Sequence, residues 1–183
     1  YGDHRDLHRL IRRQRQMCIR DSLIEAWRYI ENKYPDIRLI IIGTDWGYKR
    51  HLLSMIKRYG LKNVIFTNGI PFEHLHALYE SCMFVVSLSR FETFHRIALE
   101  AWSHKKPIVA LDLGSATEHI SSDRGILVSE NPHDVAKALY TLLENDKLRS
   151  SLGINGYEFY RRYYSVDAYV SKLINAYNQV MKV

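Results

Sequence analysis

Only two of the 183 residues are cysteines, Cys18 and Cys82. They lie far apart and in no metal-ligand spacing, which excludes a disulfide scaffold and suits a reducing compartment. Long hydrophobic runs are missing as well. None approaches the roughly 20 residues that a membrane-spanning helix needs, and no charged-then-apolar leader with a small-residue cleavage site opens the chain. The expected location is the cytoplasm. No period of roughly 20 to 50 residues recurs and no low-complexity tract appears, which removes solenoids and linkers. What is present is a composition 46% hydrophobic and 25% charged, that of a soluble globular protein. At roughly 150 residues per domain the length suits one domain with its own core.

Acidic residues are sparse at one end. Residues 1–22 hold Arg5, Arg9, Arg12, Arg13, Arg15 and Arg20 against Asp3, Asp6 and Asp21, and so carry half of the net charge of +6. Three readings of this opening stand side by side. A basic arm would engage phosphates. A charge run is ordinarily a solvated helix face. Finally, Met17-Cys18-Ile19-Arg20-Asp21-Ser22 resembles the translation of a transposon adapter used in sequencing libraries, a scar to be kept out of fold reasoning. The third reading makes residues 1–22 a non-native or disordered extension and residues 23–183 the domain, including a C-terminal helical tail. No nucleic-acid partner is then expected.

From Leu23 the apolar positions Leu23, Ile24, Trp27, Ile30 and Tyr34 recur at three and four, an amphipathic helix that ends before Pro35. The branched run Arg38–Gly43 follows, the near-continuous pattern of a parallel strand covered on both faces. The alternation continues with helix 48–59, strand 64–67, helix 72–81, strand 83–88, helix 93–104, strands 108–111 and 125–128, helix 132–143, and mostly helix to the end. This predicts an α/β fold, a Rossmann-like doubly wound parallel sheet with C-terminal helices and with ligands at the carboxyl ends of the strands. The tail aromatics Tyr157, Phe159, Tyr160, Tyr163, Tyr164, Tyr169 and Tyr177 have two readings, a membrane or carbohydrate surface and, at near-helical spacing, packing, which is the more usual role of such a pattern.

The chemistry concentrates in the stretch from Ser87 to Trp102, where a strand runs into a turn and a helix. In a helix starting at Thr93, Glu100 would lie about 80° round and roughly 12 Å along the axis from Glu92. That is too far for one acid/base pair and suited to a long ligand. First-turn amides around His95, Arg96 and Ile97 would offer donors and the positive end of the helix dipole to an anion. A diphosphate fits there, and hydroxyls at Glu92 and Glu100 complete the outline of a nucleotide sugar. The plainer reading, in which Glu92 caps the helix and Glu100 faces water, stays open on spacing alone. Asp45-Trp46-Gly47-Tyr48 reads as a loop turned by its glycine, with Trp46 available to stack on a base. His51, His74, His76, His104, His119 and His133 have no Cys or acidic partner at metal-ligand spacing, so no metal site is expected.

The same stretch resembles the glutamate, seven residues, glutamate motif of glycosyltransferase family 4, in the setting Ser89-x-x-Glu92, Glu100-Ala101 and Lys106-Pro107-Ile108-Val109-Ala110. The opening Leu23-Ile24-Glu25-Ala26, Tyr34-Pro35-Asp36, Leu75 through Tyr79 with Cys82, Gly114 to Glu118, Gly125 to Val128 and Pro132 to Asp146 resemble the family's other elements in order. Family members are retaining enzymes built from two Rossmann-like domains, the GT-B fold, so the resemblance implies a C-terminal, donor-binding half. It implies that Glu100 holds the ribose hydroxyls and that Glu92, the catalytic residue, binds donor-sugar hydroxyls near the reacting carbon. Thr93, Phe94, His95, Arg96 and Ile97 become donor-binding residues, the amides from Phe94 onward holding the phosphates, with the base near Ile70 beyond Thr67. No cofactor and no metal is implied, because fixed amides and basic side chains would stabilise the leaving diphosphate. The partners would be a nucleotide sugar and a glycan or lipid-linked acceptor held by a separate N-terminal domain, with peripheral contact at the inner face of the membrane.

The departures are specific. The family's Gly-Phe-Gly after the first glutamate is Thr93-Phe94-His95 here, and Arg96 stands where the family has an apolar residue. In one reading His95 and Arg96 reach a phosphate or sugar hydroxyl; in the other His95 is a partly exposed helix-start residue. The family's diphosphate-gripping arginine and lysine, upstream of the opening helix, have no match in this chain. The chain alone is therefore expected to transfer little or no sugar, and its aromatic tail is expected to be partly exposed and sticky. Two alternatives remain: another GT-B enzyme such as a nucleotide-sugar epimerase, or a non-enzymatic nucleotide-binding or interaction module with a basic arm.

Overall fold

The computed structural model describes residues 20–45, 47–90 and 92–181. Most of the basic opening lies outside the described residues, as do Trp46, with its base-stacking reading, and Phe91. Helix α1 covers residues 20–33. Its stripe buries Ile24, Trp27 and Ile30, and it ends where Pro35 forbids a further turn. Asp21, on its first turn, accepts from the Tyr48 hydroxyl at 2.7 Å and lies 3.3 Å from His51 Nε2.

Twelve further elements follow among the described residues: β1 (Leu39–Ile42), α2 (Lys49–Tyr59), β2 (Val64–Thr67), α3 (Phe72–Ser81), β3 (Val85–Ser87), α4 (Arg96–Ser103), β4 (Ile108–Leu111), α5 (Ser115–His119), β5 (Gly125–Val128), α6 (Pro132–Glu144), α7 (Asp146–Tyr163) and α8 (Val166–Val180). Local chemistry sets several boundaries. Asn131 caps α6 by accepting from the His133 amide, with Pro132 pre-set at the first helical position. Asn145 accepts from the Leu148 amide and starts α7, and Ser165 accepts from the Ala168 amide and starts α8.

Every strand pair is parallel. Leu39 lies opposite Val64, Val85 opposite Ile108, and Ile108 opposite Gly125. β4 is buried along its whole length, and its residues divide between two cores. Val109 and Leu111 join Ile24, Trp27, Leu139 and Leu142 on one side, while Ile108 and Ala110 join Ala98, Trp102, Ala116 and Ile120 on the other. Helices thus cover both faces, as a doubly wound sheet requires. Hydrogen bonding divides the strands into two ladders, β1-β2 and β3-β4-β5.

Three expectations need correction. β1 is not covered on both faces: Leu39 and Ile41 pack into the first core, whereas Ile40 and Ile42 are each 40% exposed. The reason is that α3, the next helix in line, contributes no side chain to either core. Strand β3 is shorter than 83–88, with Met83 exposed ahead of it. The helix after β3 starts at Arg96 rather than Thr93, because His95 has φ −75° and ψ 65° and the Arg96 amide bonds the Phe94 carbonyl at 2.7 Å. That is an inverse γ-turn, whose geometry cannot be continued backward as helix. Glu92 and Glu100 therefore do not share one helix face.

The second core owes its closeness to two glycines of α7. A Cβ at Gly153 would collide with the Lys105 carbonyl, and one at Gly156 with the Trp102 indole. The tail aromatics divide: Phe159 meets Trp102 edge-on at 5.6 Å and Tyr164 lies 5.7 Å from Phe94, whereas Tyr169 and Tyr177 are exposed. α8 buries none of its residues, and Val166, Tyr169, Val170, Leu173, Tyr177 and Val180 form an exposed apolar stripe. No helix among the described residues is long and apolar enough to cross a membrane.

Candidate functional site

The parallel strands β3, β4 and β5 deliver three loops to one end of their ladder: residues 88–95, 112–114 and 129–131. An ion pair between Arg90 and Glu130 ties the first of these to the third. The Arg90 Nε is buried with no partner among the described residues.

Glu92 and Thr93 stand exposed in the first loop. Phe94 follows, its ring 5.0 Å from that of His119 on α5, so the loop is braced against α5 and the α7–α8 corner. His95 is the turn's centre. Its side chain is only 2% exposed, and its Nε2 has no partner among the described residues. It is therefore not the partly exposed helix-start residue of the plainer reading. Burial holds the imidazole below its ordinary pKa, with Glu92 opposing and His119 reinforcing that shift. The γ-turn uses the Arg96 amide, but the amides of Phe94, His95 and Ile97 donate to no group among the described residues. Three of the four amides expected to meet phosphates are thus open, at the start of an eight-residue helix.

On α4 the carboxylate of Glu100 is neither buried nor simply in water. Its Oε2 accepts from the Tyr79 hydroxyl at 2.9 Å, and its Oε1 lies 3.5 Å from Arg96 Nε. The Arg96 side chain is otherwise 82% exposed. Burial first, then the bond to Glu100, pushes the Tyr79 phenol above its ordinary pKa, so it remains a donor.

A separate cleft lies at the carboxyl ends of β1 and β2, lined by Gly43, Asp45, Lys49, Thr67 and Asn68 together with Arg20. Asp45 Oδ1 receives the amides of Gly47, Tyr48 and Lys49 at 2.8, 3.0 and 3.1 Å, which fixes the turn into α2 and lowers its carboxyl pKa, the Lys49 amide most of all. Ile70 is partly buried in the loop beyond this cleft and does not line it. Among the described residues no three His, Cys, Asp or Glu side chains gather as a metal site. Sequence reasoning missed Tyr79, Arg90 and Glu130. Each acts on a residue 20 or more positions away, where no local spacing signals it.

Open amides and carboxylates gather at the carboxyl ends of the parallel strands, where α/β sheets ordinarily place their ligands. The chain matches the family model described as glycosyl transferases group 1 over residues 13–159, and it belongs to that family. An uncharacterized glycosyltransferase of Methanocaldococcus jannaschii is 28% identical over 145 residues, covering 78% of this chain and 40% of that protein. The C-terminal domain of a glycosyl transferase group 1 family protein from Francisella tularensis superposes with a TM-score of 0.72 at 31% identity, covering 79% of this chain and 78% of that domain. TarM of Staphylococcus aureus, solved with fondaparinux, α-GlcNAc-glycerol and UDP, superposes with a TM-score of 0.74 at 26% identity, covering 86% of this chain and 32% of TarM. The architecture is that of the C-terminal half of a GT-B glycosyltransferase. The chain spans about 40% of the length of the first curated relatives it matches.

Proposed function

We propose that this domain binds a nucleoside-diphosphate sugar over the loops after β3 and β4, as the donor half of a retaining transferase of family 4. The observation that carries the reading is the state of Glu100. A carboxylate has about four acceptor positions. Tyr79 and Arg96 each engage one oxygen, which leaves a position on each for two neighbouring hydroxyls, the pattern a ribose offers.

The donor phosphates lie on the open amides of Phe94, His95 and Ile97, with Arg96 beside them. Glu92, exposed and unburdened by a helix cap, holds donor-sugar hydroxyls near the reacting carbon. The base lies toward the loop after β2, on the side of Ile70. Departure of the diphosphate needs fixed donors rather than a metal, since preorganised dipoles stabilise developing charge at no cost in reorganisation. The acceptor, a glycan or a lipid-linked one, is held by a preceding domain, and the apolar stripe on α8 is the surface that braces it. The working protein is cytoplasmic and meets the inner face of the membrane from outside the bilayer. The domain itself is residues 23–183, with residues 1–22 dispensable for nucleotide binding. This chain alone transfers little or no sugar.

The test is thermal unfolding of the chain with UDP, the other nucleoside diphosphates and their sugars, beside Glu100→Ala. A ligand at ten times its dissociation constant stabilises by about 1.4 kcal/mol, or roughly 3–6 °C for a domain of this size. A base-selective shift that Glu100→Ala abolishes supports the reading. Equal shifts in both proteins, or none with any nucleotide, overturn it.

A further inference from the structure

α3 buries no residue fully and contributes nothing to either hydrophobic core. Its side-chain hydrogen bonds and ring contacts with other elements, among the described residues, are aimed at α4 and its C-cap His104. Two side chains one turn apart, His76 and Tyr79, meet two side chains one turn apart, His104 and Glu100. The Tyr79 hydroxyl donates to Glu100 Oε2 at 2.9 Å, and its ring stacks on His104 with centroids 5.1 Å apart at 20°. His104 Nδ1 lies 2.8 Å from the Glu100 carbonyl, which only accepts, so Nδ1 carries the proton. In a neutral ring Nε2 then accepts, and His76 Nδ1, 2.8 Å away, donates to it. Tyr79 thus rests on His104, while His76 ties α3 to His104 beside it.

We propose that Tyr79 is a positioning residue for Glu100: by donating to Oε2 it fixes the carboxylate's rotation so that the remaining lone pair on each oxygen faces a ribose diol. This rests on the reading of Glu100 given above. Arg96 alone cannot do the same, because its contact is long at 3.5 Å and its side chain is 82% exposed. A flexible cation restrains the charge and not the plane of the carboxylate. A glutamate side chain free to turn would present the two acceptors in the needed orientation only part of the time, and the fraction lost appears as weaker binding of the diol.

The experiment compares UDP with 2′,3′-dideoxyuridine diphosphate, measuring both dissociation constants by calorimetry for the full chain, Tyr79→Phe, Glu100→Ala, the double variant and His76→Phe. The wild type prefers UDP, and Tyr79→Phe, which keeps the stack on His104, reduces that preference roughly tenfold, the scale of a bond to a charged group. The dideoxy probe binds both proteins alike. In the Glu100→Ala background Tyr79→Phe changes the ratio no further. His76→Phe lowers the melting temperature and leaves the ratio unchanged. If Glu100→Ala removes the preference while Tyr79→Phe retains it, the ribose reading stands and Tyr79 is structural only. A loss of ratio in His76→Phe equal to that in Tyr79→Phe also overturns the proposal, since docking of α3 then explains both. A wild type that does not distinguish the two probes overturns the reading of Glu100 and this proposal together.

Discussion

Replacing Gly156 with alanine tests how the fold places α4, the helix that carries Glu100. An added Cβ would fall on three atoms of the Trp102 indole. That ring has little room to move: it is fully buried, its Nε1 donates to the Arg124 carbonyl at 2.9 Å, and Phe159 meets it edge-on. Overpacking of this kind destabilises by about 1–3 kcal/mol, and the rigidity of the pinned indole puts this site at the upper end. Alanine returns about 1 kcal/mol through its better helix propensity. The net loss is therefore about 2 kcal/mol, read as a fall of roughly 4–8 °C in melting temperature for a domain of this size. Differential scanning calorimetry measures it. Trp102→Leu, which removes the obstructing ring, should be less damaging in the Gly156→Ala background than alone, because the two changes share one space. A Gly156→Ala protein as stable as the wild type, or more so, refutes the argument that Trp102 is held in place.

Three further outcomes are expected. His95 has a lowered pKa in the fold, so the stability it contributes is fully present above its unfolded value of 6.5 and is lost as pH falls below it, when only the unfolded chain takes up the proton readily; melting temperatures of His95→Gln between pH 8 and 5 should be flatter than those of the wild type, and parallel curves would contradict this. Asn145→Ala removes the side-chain acceptor of the Leu148 amide and should destabilise by about 1 kcal/mol, measured by urea titration at unchanged slope. The apolar stripe of α8 should give concentration-dependent association in analytical ultracentrifugation, suppressed by Tyr169→Lys with Leu173→Glu; a monomer at every concentration would remove the case for a covering surface.

Elements were legible where a local signal sits at each end. Strands 64–67, 108–111 and 125–128 and helix 72–81 stand at the bounds that their apolar runs and flanking polar residues predict. What was not legible depends on partners distant in sequence. Ile40 and Ile42 belong to a run that reads as doubly buried, yet their exposure is decided by α3, which packs on neither core. Thr93, Phe94 and His95 have no residue forbidden in a helix. Only burial of the His95 side chain at 2% exposure, with the γ-turn it accompanies, sets the start of α4 three residues later. In the candidate site, Glu92 and Glu100 are singled out by the resemblance to the family's glutamate motif, spacing alone leaving the capping reading open, while the hydroxyl that meets Glu100 comes from another helix. Tyr79 is 21 positions away and His76 meets His104 across 28.

The position of His95 also bears on the chain's sharpest departure from the family pattern, a bulky residue where glycine is usual. A side chain at that place could take the room a donor sugar needs. Here it does not stand in the open, because the γ-turn is accompanied by an imidazole buried in the protein and leaves the residue's amide without a partner among the described residues. What the exposed side of this turn offers is backbone, as glycine would. Thr93 and Arg96, by contrast, both project into solvent beside Glu92 and Glu100. On the donor-site reading proposed above, selectivity among sugars would fall to the exposed Thr93 and Arg96 more than to His95, whose side chain is buried.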